Sequence, residues 1–154
     1  QNIRLFGGLY GLNDHEIMCR IDEMLARLHF IEYRDTLVKT LPLGWKQKLA
    51  FSVSIFHEPE VVFLDEPTGG VDPATRRQFW ELIYAAAARG ITVFVTTHYM
   101  DEAEYCHRLS CDRISIMVDG KIRAMDSPAA LKQAYGCTDM DEVFTKLARQ
   151  ATRV

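Results

Sequence analysis

The chain has 154 residues, 48% of them hydrophobic and 25% charged, the profile of a globular protein with a core of its own. Its 21 acidic and 18 basic side chains leave a formal charge of −3, which excludes a broad electrostatic footprint for nucleic acid. No apolar run approaches the roughly 20 residues that cross a bilayer, and no leader pattern follows Gln1, a first residue that is not Met and so reads as a cut in a longer chain.

In chain order, residues 14 to 29 carry apolar side chains at Ile17, Met18, Ile21, Met24, Leu25 and Leu28, the spacing of an amphipathic helix. Asn13 with Glu16 three residues on has the form of a capping box. A second helix is expected from Gly44 to about Phe56, because Pro42 stops anything earlier. Val61 to Leu64 then read as a strand apolar on both faces, interior to a parallel sheet. Asp72 and Pro73 suit the cap and first position of a third helix reaching Ala88, with Gly90 just past its end. Residues 91 to 96 form the next strand, which completes a βαβ unit. A helix follows Met100, and Asp119-Gly120 joins two short strands as a hairpin. Ser127-Pro128 begins a short helix, and residues 139 to 150 a last one.

The four cysteines, Cys19, Cys106, Cys111 and Cys137, show no CxxC pairing and read as reduced thiols. Cys106, His107 and Cys111 resemble a zinc cluster without a convincing fourth ligand. The near-repeat CHRLS then CDRIS, residues 106 to 115, is too short for a repeat architecture.

Right-handed crossovers make the two strands of a βαβ unit parallel, so their carboxyl ends share one edge, where open α/β sheets bind ligands. The first strand delivers Asp65 and Glu66 to that edge, and the second delivers His98. A strand-end aspartate suits Mg²⁺ held through water, the following glutamate suits polarising an attacking water, and the imidazole suits a terminal phosphate or the same water. Such chemistry calls for a GxxxxGK[ST] cradle. None of the nine glycines begins or completes one.

These residues resemble the ATP-binding subunit of ABC transporters. VVFLDEPTGGVDP is similar to the Walker B strand, catalytic glutamate and D-loop of that family, TTHYMDEAE to its switch histidine, and LPLGWKQKLA stands where its LSGGQ signature is expected. The tail from Gly120 resembles ATPase subunits of type-2 and multidrug exporters, and the likeness covers essentially the whole chain. It implies an α/β fold: a partial P-loop ATPase core of parallel strands and crossover helices, a helical subdomain, and a C-terminal hairpin with helices. The implied divisions are residues 1–43, 44–118 and 119–154. The chain resembles the family from just after its Q-loop, so the missing cradle is expected upstream of Gln1.

The resemblance implies ATP and Mg²⁺ as cofactors. It implies Asp65 as the metal residue, Glu66 as general base, His98 as switch histidine near the γ-phosphate, Asp72 as the D-loop aspartate, and Gly44 as the signature glycine approaching ATP on another subunit. The implied partners are a transmembrane permease and a second nucleotide-binding domain, with no nucleic acid, at the cytoplasmic face of a membrane. The helix at 14–29 would belong to the subdomain that meets the permease. The signature departs from the pattern: Pro42 stands for Ser, Leu43 for Gly and Trp45 for Gln. Pro42 offers neither hydroxyl nor N–H, and Trp45 suits packing as well as a nucleotide. The competing function is a non-hydrolysing cassette fragment that donates its signature surface in trans. A ribosome- or DNA-acting cassette would carry an intact signature and basic surfaces. A DEAD-type helicase would not place Pro67-Thr68 after Asp-Glu.

Overall fold

The computed structural model describes residues 2–108 and 113–151, without the side chains of 106–108. The Cys106–His107–Cys111 cluster and the near-repeat fall outside that description. The chain forms two compact units, Gln1–Thr96 and Thr97–Val154.

The first unit opens with a helix that periodicity did not announce, α1 (Asn2–Leu9). Its paired glycines read locally as helix breakers. Their use is tertiary: a Cβ at Gly7 would lie 2.8 Å from Ile17 Cγ1 and 3.2 Å from Phe56, so only glycine lets α1 approach this closely. The helix α2 (Asp14–Arg27) starts on the expected capping box, the Glu16 N–H donating to Asn13 Oδ1 at 3.0 Å and the Asn13 N–H to Glu16 Oε2 at 3.0 Å. Its buried stripe, Ile17, Ile21, Met24 and Leu25, joins Leu28, Phe30, Leu41 and Phe56 in one core.

The helix α3 (Leu43–Ser54) leads to strand β1 (Val61–Asp65), then α4 (Pro73–Ala88) and strand β2 (Thr92–Thr96). The strands pair in parallel from Val61 opposite Thr92 to Asp65 opposite Thr96, as the βαβ reading requires. The expectation that β1 is covered on both faces is corrected. Val62 is buried, while Val61, Phe63 and Phe94 are 46%, 75% and 56% exposed. Alternate residues face opposite ways, and α4 packs against the sheet through β2. Among the described residues β1 has no strand partner besides β2, and the other face of the pair carries exposed aromatic surface, with the Phe63 and Phe94 rings 5.7 Å apart.

In the second unit the helix after Met100 is a 3₁₀-helix (Met100–Arg108). Strands β3 (Ile114–Val118) and β4 (Lys121–Asp126) form the expected hairpin, with a bulge between Ile116 and Met117. Its turn residues Asp119 and Gly120 both take positive φ, 53° and 69°, the type I′ geometry that suits strand twist. Ser127 caps α5 (Pro128–Tyr135), and α6 (Met140–Ala151) closes the unit. Ile116, Leu131, Met140, Val143 and Leu147 form its core, and Lys132 bridges Glu104 at 2.8 Å.

Candidate active site

Strand pairing places Asp65 beside Thr96, the last residues of β1 and β2. The Thr96 hydroxyl donates to Asp65 Oδ1, which orients the carboxylate at the sheet edge. Beyond Asp65 the chain turns sharply. The Glu66 N–H donates to the Thr96 carbonyl at 3.1 Å and lies 3.2 Å from Thr96 Oγ1, while Glu66 itself takes φ +43°. A non-glycine residue in that left-handed region costs about 1 kcal/mol, and His29, Glu58 and Asp119 adopt it elsewhere in the chain. The Glu66 carbonyl then accepts the Gly69 N–H at 3.0 Å. The outcome is two adjacent exposed carboxylates at the carboxyl end of a parallel pair, one tethered and one carried outward on the turn.

The donor set at this edge is oxygen: the Asp65 carboxylate, the Thr96 hydroxyl and the Glu66 carboxylate. Such a set fits Mg²⁺, which takes one or two carboxylates and keeps waters and phosphate oxygens for its remaining positions.

The loop leaves through Gly70 (φ +74°) to Asp72, the N-cap of α4. Asp72 Oδ1 accepts the N–H groups of Ala74 (3.1 Å) and Thr75 (3.0 Å), and Oδ2 accepts the Thr75 hydroxyl. The Thr75 hydroxyl, followed by the backbone donors, holds the Asp72 carboxyl below the usual carboxylate range.

Gly44 stands in the first turn of α3, beside this cap. Pro42 is the N-cap of α3 and contributes no side-chain bond. Its carbonyl accepts from Trp45 and Lys46, both at 3.1 Å, and among the described residues no acceptor meets the N–H groups of Leu43 and Gly44. Pro42 to Trp45 on one side and Gly70 to Asp72 with Thr75 on the other line an open hollow of about 320 Å³. Trp45 turns its ring into the core, 4.5 Å from Phe30 and 5.7 Å from Tyr33, with Lys48 Nζ 4.7 Å from the ring centre. Packing is therefore an observed role of Trp45. Lys48 is 7% exposed and donates to Gln78. Burial pushes its ammonium pKa down, against the opposing pull of Asp72.

Asp65, Glu66, Asp72 and Gly44 thus all belong to the first unit. His98 lies two residues past β2, in the second unit, its ring centre 4.1 Å from that of Tyr99. Residue-by-residue reading missed Thr96, Thr75 and Gln47, whose Nε2 donates to the Gly69 carbonyl at 3.1 Å. Parallel register with Asp65 points to Thr96, and the third helical position after an Asp-Pro cap points to Thr75. Gln47 has no local signal.

Comparison with known proteins adds three kinds of match. Residues 27–100 match the family model described as "AAA domain, putative AbiEii toxin, Type IV TA system". The chain is 46% identical over 153 residues to the probable multidrug ABC transporter ATP-binding protein YbhF of Escherichia coli, covering 96% of this chain and 25% of that protein. It is 39% identical over 134 residues to a fluoroquinolones export ATP-binding protein of Mycobacterium tuberculosis, covering 87% and 42%. With the daunorubicin resistance ATP-binding protein DrrA3 of Streptomyces coeruleorubidus it shares 33% over 154 residues, 100% of this chain and 48% of that protein. The chain therefore spans less than half the length of these relatives. Among solved structures, cbiO1 from Clostridium perfringens, part of the ABC transporter complex cbiONQ, superposes with TM-score 0.69 at 28% identity, covering 96% of this chain and 56% of that one. An ATP-binding subunit of an ABC transporter superposes with TM-score 0.76 at 24% identity, covering 94% and 60%, a likeness of fold.

Proposed function

The chain belongs to the ATP-binding proteins of ABC transporters, and from that premise we propose that it supplies the C-terminal half of a cassette that hydrolyses ATP to drive export. In this reading residues 1–43 are a helical subdomain, 44–118 the signature helix with half of the ATPase core, and 119–154 a C-terminal hairpin with helices. The phosphate loop, absent from these 154 residues, comes from outside them. A permease and a second nucleotide-binding domain are the partners, and the site of work is the cytoplasmic face of a membrane. No helix of the described residues is long and apolar enough to cross one.

Asp65, oriented by Thr96, would hold Mg²⁺ through water. Bound Mg²⁺ would neutralise charge on the phosphates. Glu66 would take the proton of the attacking water, and His98 would contact the terminal phosphate. Asp72 would communicate across the dimer interface. Gly44 and the open first turn of α3 would meet phosphate on the partner domain, since a helix N-terminus with unbonded N–H groups favours an anion.

One observation carries the reading: two consecutive carboxylates end a parallel strand, the first tied to the neighbouring strand and the second turned out at φ +43°. The test is Glu66→Gln in the longer protein that includes the phosphate loop. Removing a general base should slow turnover by about 10²–10⁴-fold while ATP binding persists. Normal turnover would remove Glu66 from that role. A second reading, a non-hydrolysing module that donates α3 in trans, is favoured by Pro42 and Leu43, which leave Gly44 as the one glycine of the signature pair. Wild-type hydrolysis in the longer protein, lost in Glu66→Gln, would decide against it.

A further inference from the structure

We propose that Thr75 is a positioning residue that locks the first turn of α3 to the loop leaving β1, so that the two move as one body. The hydroxyl and the methyl of this side chain do different work. The hydroxyl donates to Asp72 Oδ2, whose other oxygen takes the Thr75 and Ala74 N–H groups. That bond selects one staggered χ1 well and so fixes the direction of the methyl. The methyl lies against Gly44, in the space that a Cβ there would occupy. Gly44 is therefore required for contact as well as for approach by a ligand.

One further hydrogen bond and one close approach cross the same seam. Gln47 Nε2 donates to the Gly69 carbonyl at 3.1 Å. A Cβ at Gly70, already held at φ +74°, would stand 3.3 Å from Leu43 Cδ2. Three places along the loop region, Gly69, Gly70 and the Asp72–Thr75 cap, thus each meet or closely approach a residue between Leu43 and Gln47. A packed seam of this kind is discrete rather than soft. A displacement of the loop after Glu66 reaches the open N–H groups of Leu43 and Gly44 without an intervening hinge. The catalytic consequence rests on the function proposed above; the mechanical coupling does not.

The test is a size-complementation cycle in the longer protein, read in two ways. Gly44→Ala adds a methyl where the Thr75 methyl sits, and Thr75→Ser removes that methyl while keeping the hydroxyl. Gly44→Ala alone should speed amide hydrogen exchange about tenfold in both 43–46 and 69–72. It should raise KM for ATP by a similar factor, with kcat changed less. The double variant Gly44→Ala/Thr75→Ser should return hydrogen exchange in both segments to within about threefold of wild type; KM is not expected to recover, because Gly44 itself faces the nucleotide in the proposed function. Thr75→Val, which keeps the shape and loses the hydroxyl, should loosen 69–72 and 43–46 together. Failure of Thr75→Ser to rescue, or loosening of one segment without the other, overturns the proposal. If the wild-type protein hydrolyses no ATP, the function falls while hydrogen exchange still decides the coupling.

Discussion

Two helices begin side by side on the same hollow, and their beginnings are opposite in kind. The first turn of α4 is closed: Asp72 satisfies two N–H groups and brings a negative charge to the positive end of the helix. The first turn of α3 is open: Pro42 provides no side-chain bond, and no acidic residue stands in its first turn. An uncapped helix start forfeits about 1 kcal/mol, so α3 is held by other means. Trp45 and Lys48 anchor it from behind, in the aromatic cluster with Phe30 and Tyr33 and on Gln78. The contrast separates a helix end whose donors serve folding from one whose donors remain available to a ligand.

The comparison can be broken most severely by removing the anchor of α3. Trp45→Ala should cost about 2–3 kcal/mol, since the ring is half-buried against Phe30, and should lower the melting temperature by roughly 5–10 °C. A loss under 1 kcal/mol would mean the aromatic cluster does not hold α3. Opening the closed end comes next. Asp72→Ala should lower the midpoint of denaturant titrations, and an unchanged midpoint would show that the cap is not stabilising.

The same carboxylate gives a pH signature. Its pKa is lower in the folded chain than in the unfolded one, so its stabilisation is complete above about pH 4 and is lost as pH falls through the folded value. Wild type and Asp72→Ala should therefore differ in melting temperature at neutral pH and converge in acid; a constant gap would refute the assignment. The smallest effect closes the open end. Pro42→Asp gives α3 the kind of cap that α4 has and should add up to about 1 kcal/mol of stability. It should weaken nucleotide binding in the assembled cassette, where the new carboxylate competes with phosphate. Unchanged affinity would show that the α3 terminus does not face the nucleotide.

Much of this arrangement was legible in the residues. Asn13 with Glu16, and Asp72 with Pro73, specify helix starts through bonds that span three residues, and both form as expected. Asp119-Gly120 specifies a hairpin through φ preference alone. The α1 helix was not legible, because Gly7 reads as a breaker locally and earns its place only against Ile17. The exposure of Phe63 was not legible either. Apolar residues on both sides of a strand predict burial on both faces, whereas coverage depends on which segments pack there. Of the site, Asp65 and Glu66 could be read from an apolar run ending in acid, and Thr96 only once the register of the two strands is known, since its bond to Asp65 joins residues on different strands.

The sequence by itself determined the helical and strand periods, the caps, the tight turn and the order in which Asp65, Glu66 and Asp72 leave the strand, because each depends on a few neighbouring residues and their backbone preferences. Only the tertiary structure decided that Thr96 tethers Asp65, that Trp45 faces the core, and that the Thr75 methyl fills the space left by Gly44. Those contacts join segments far apart in the chain, where packing geometry rather than local propensity sets which atoms meet.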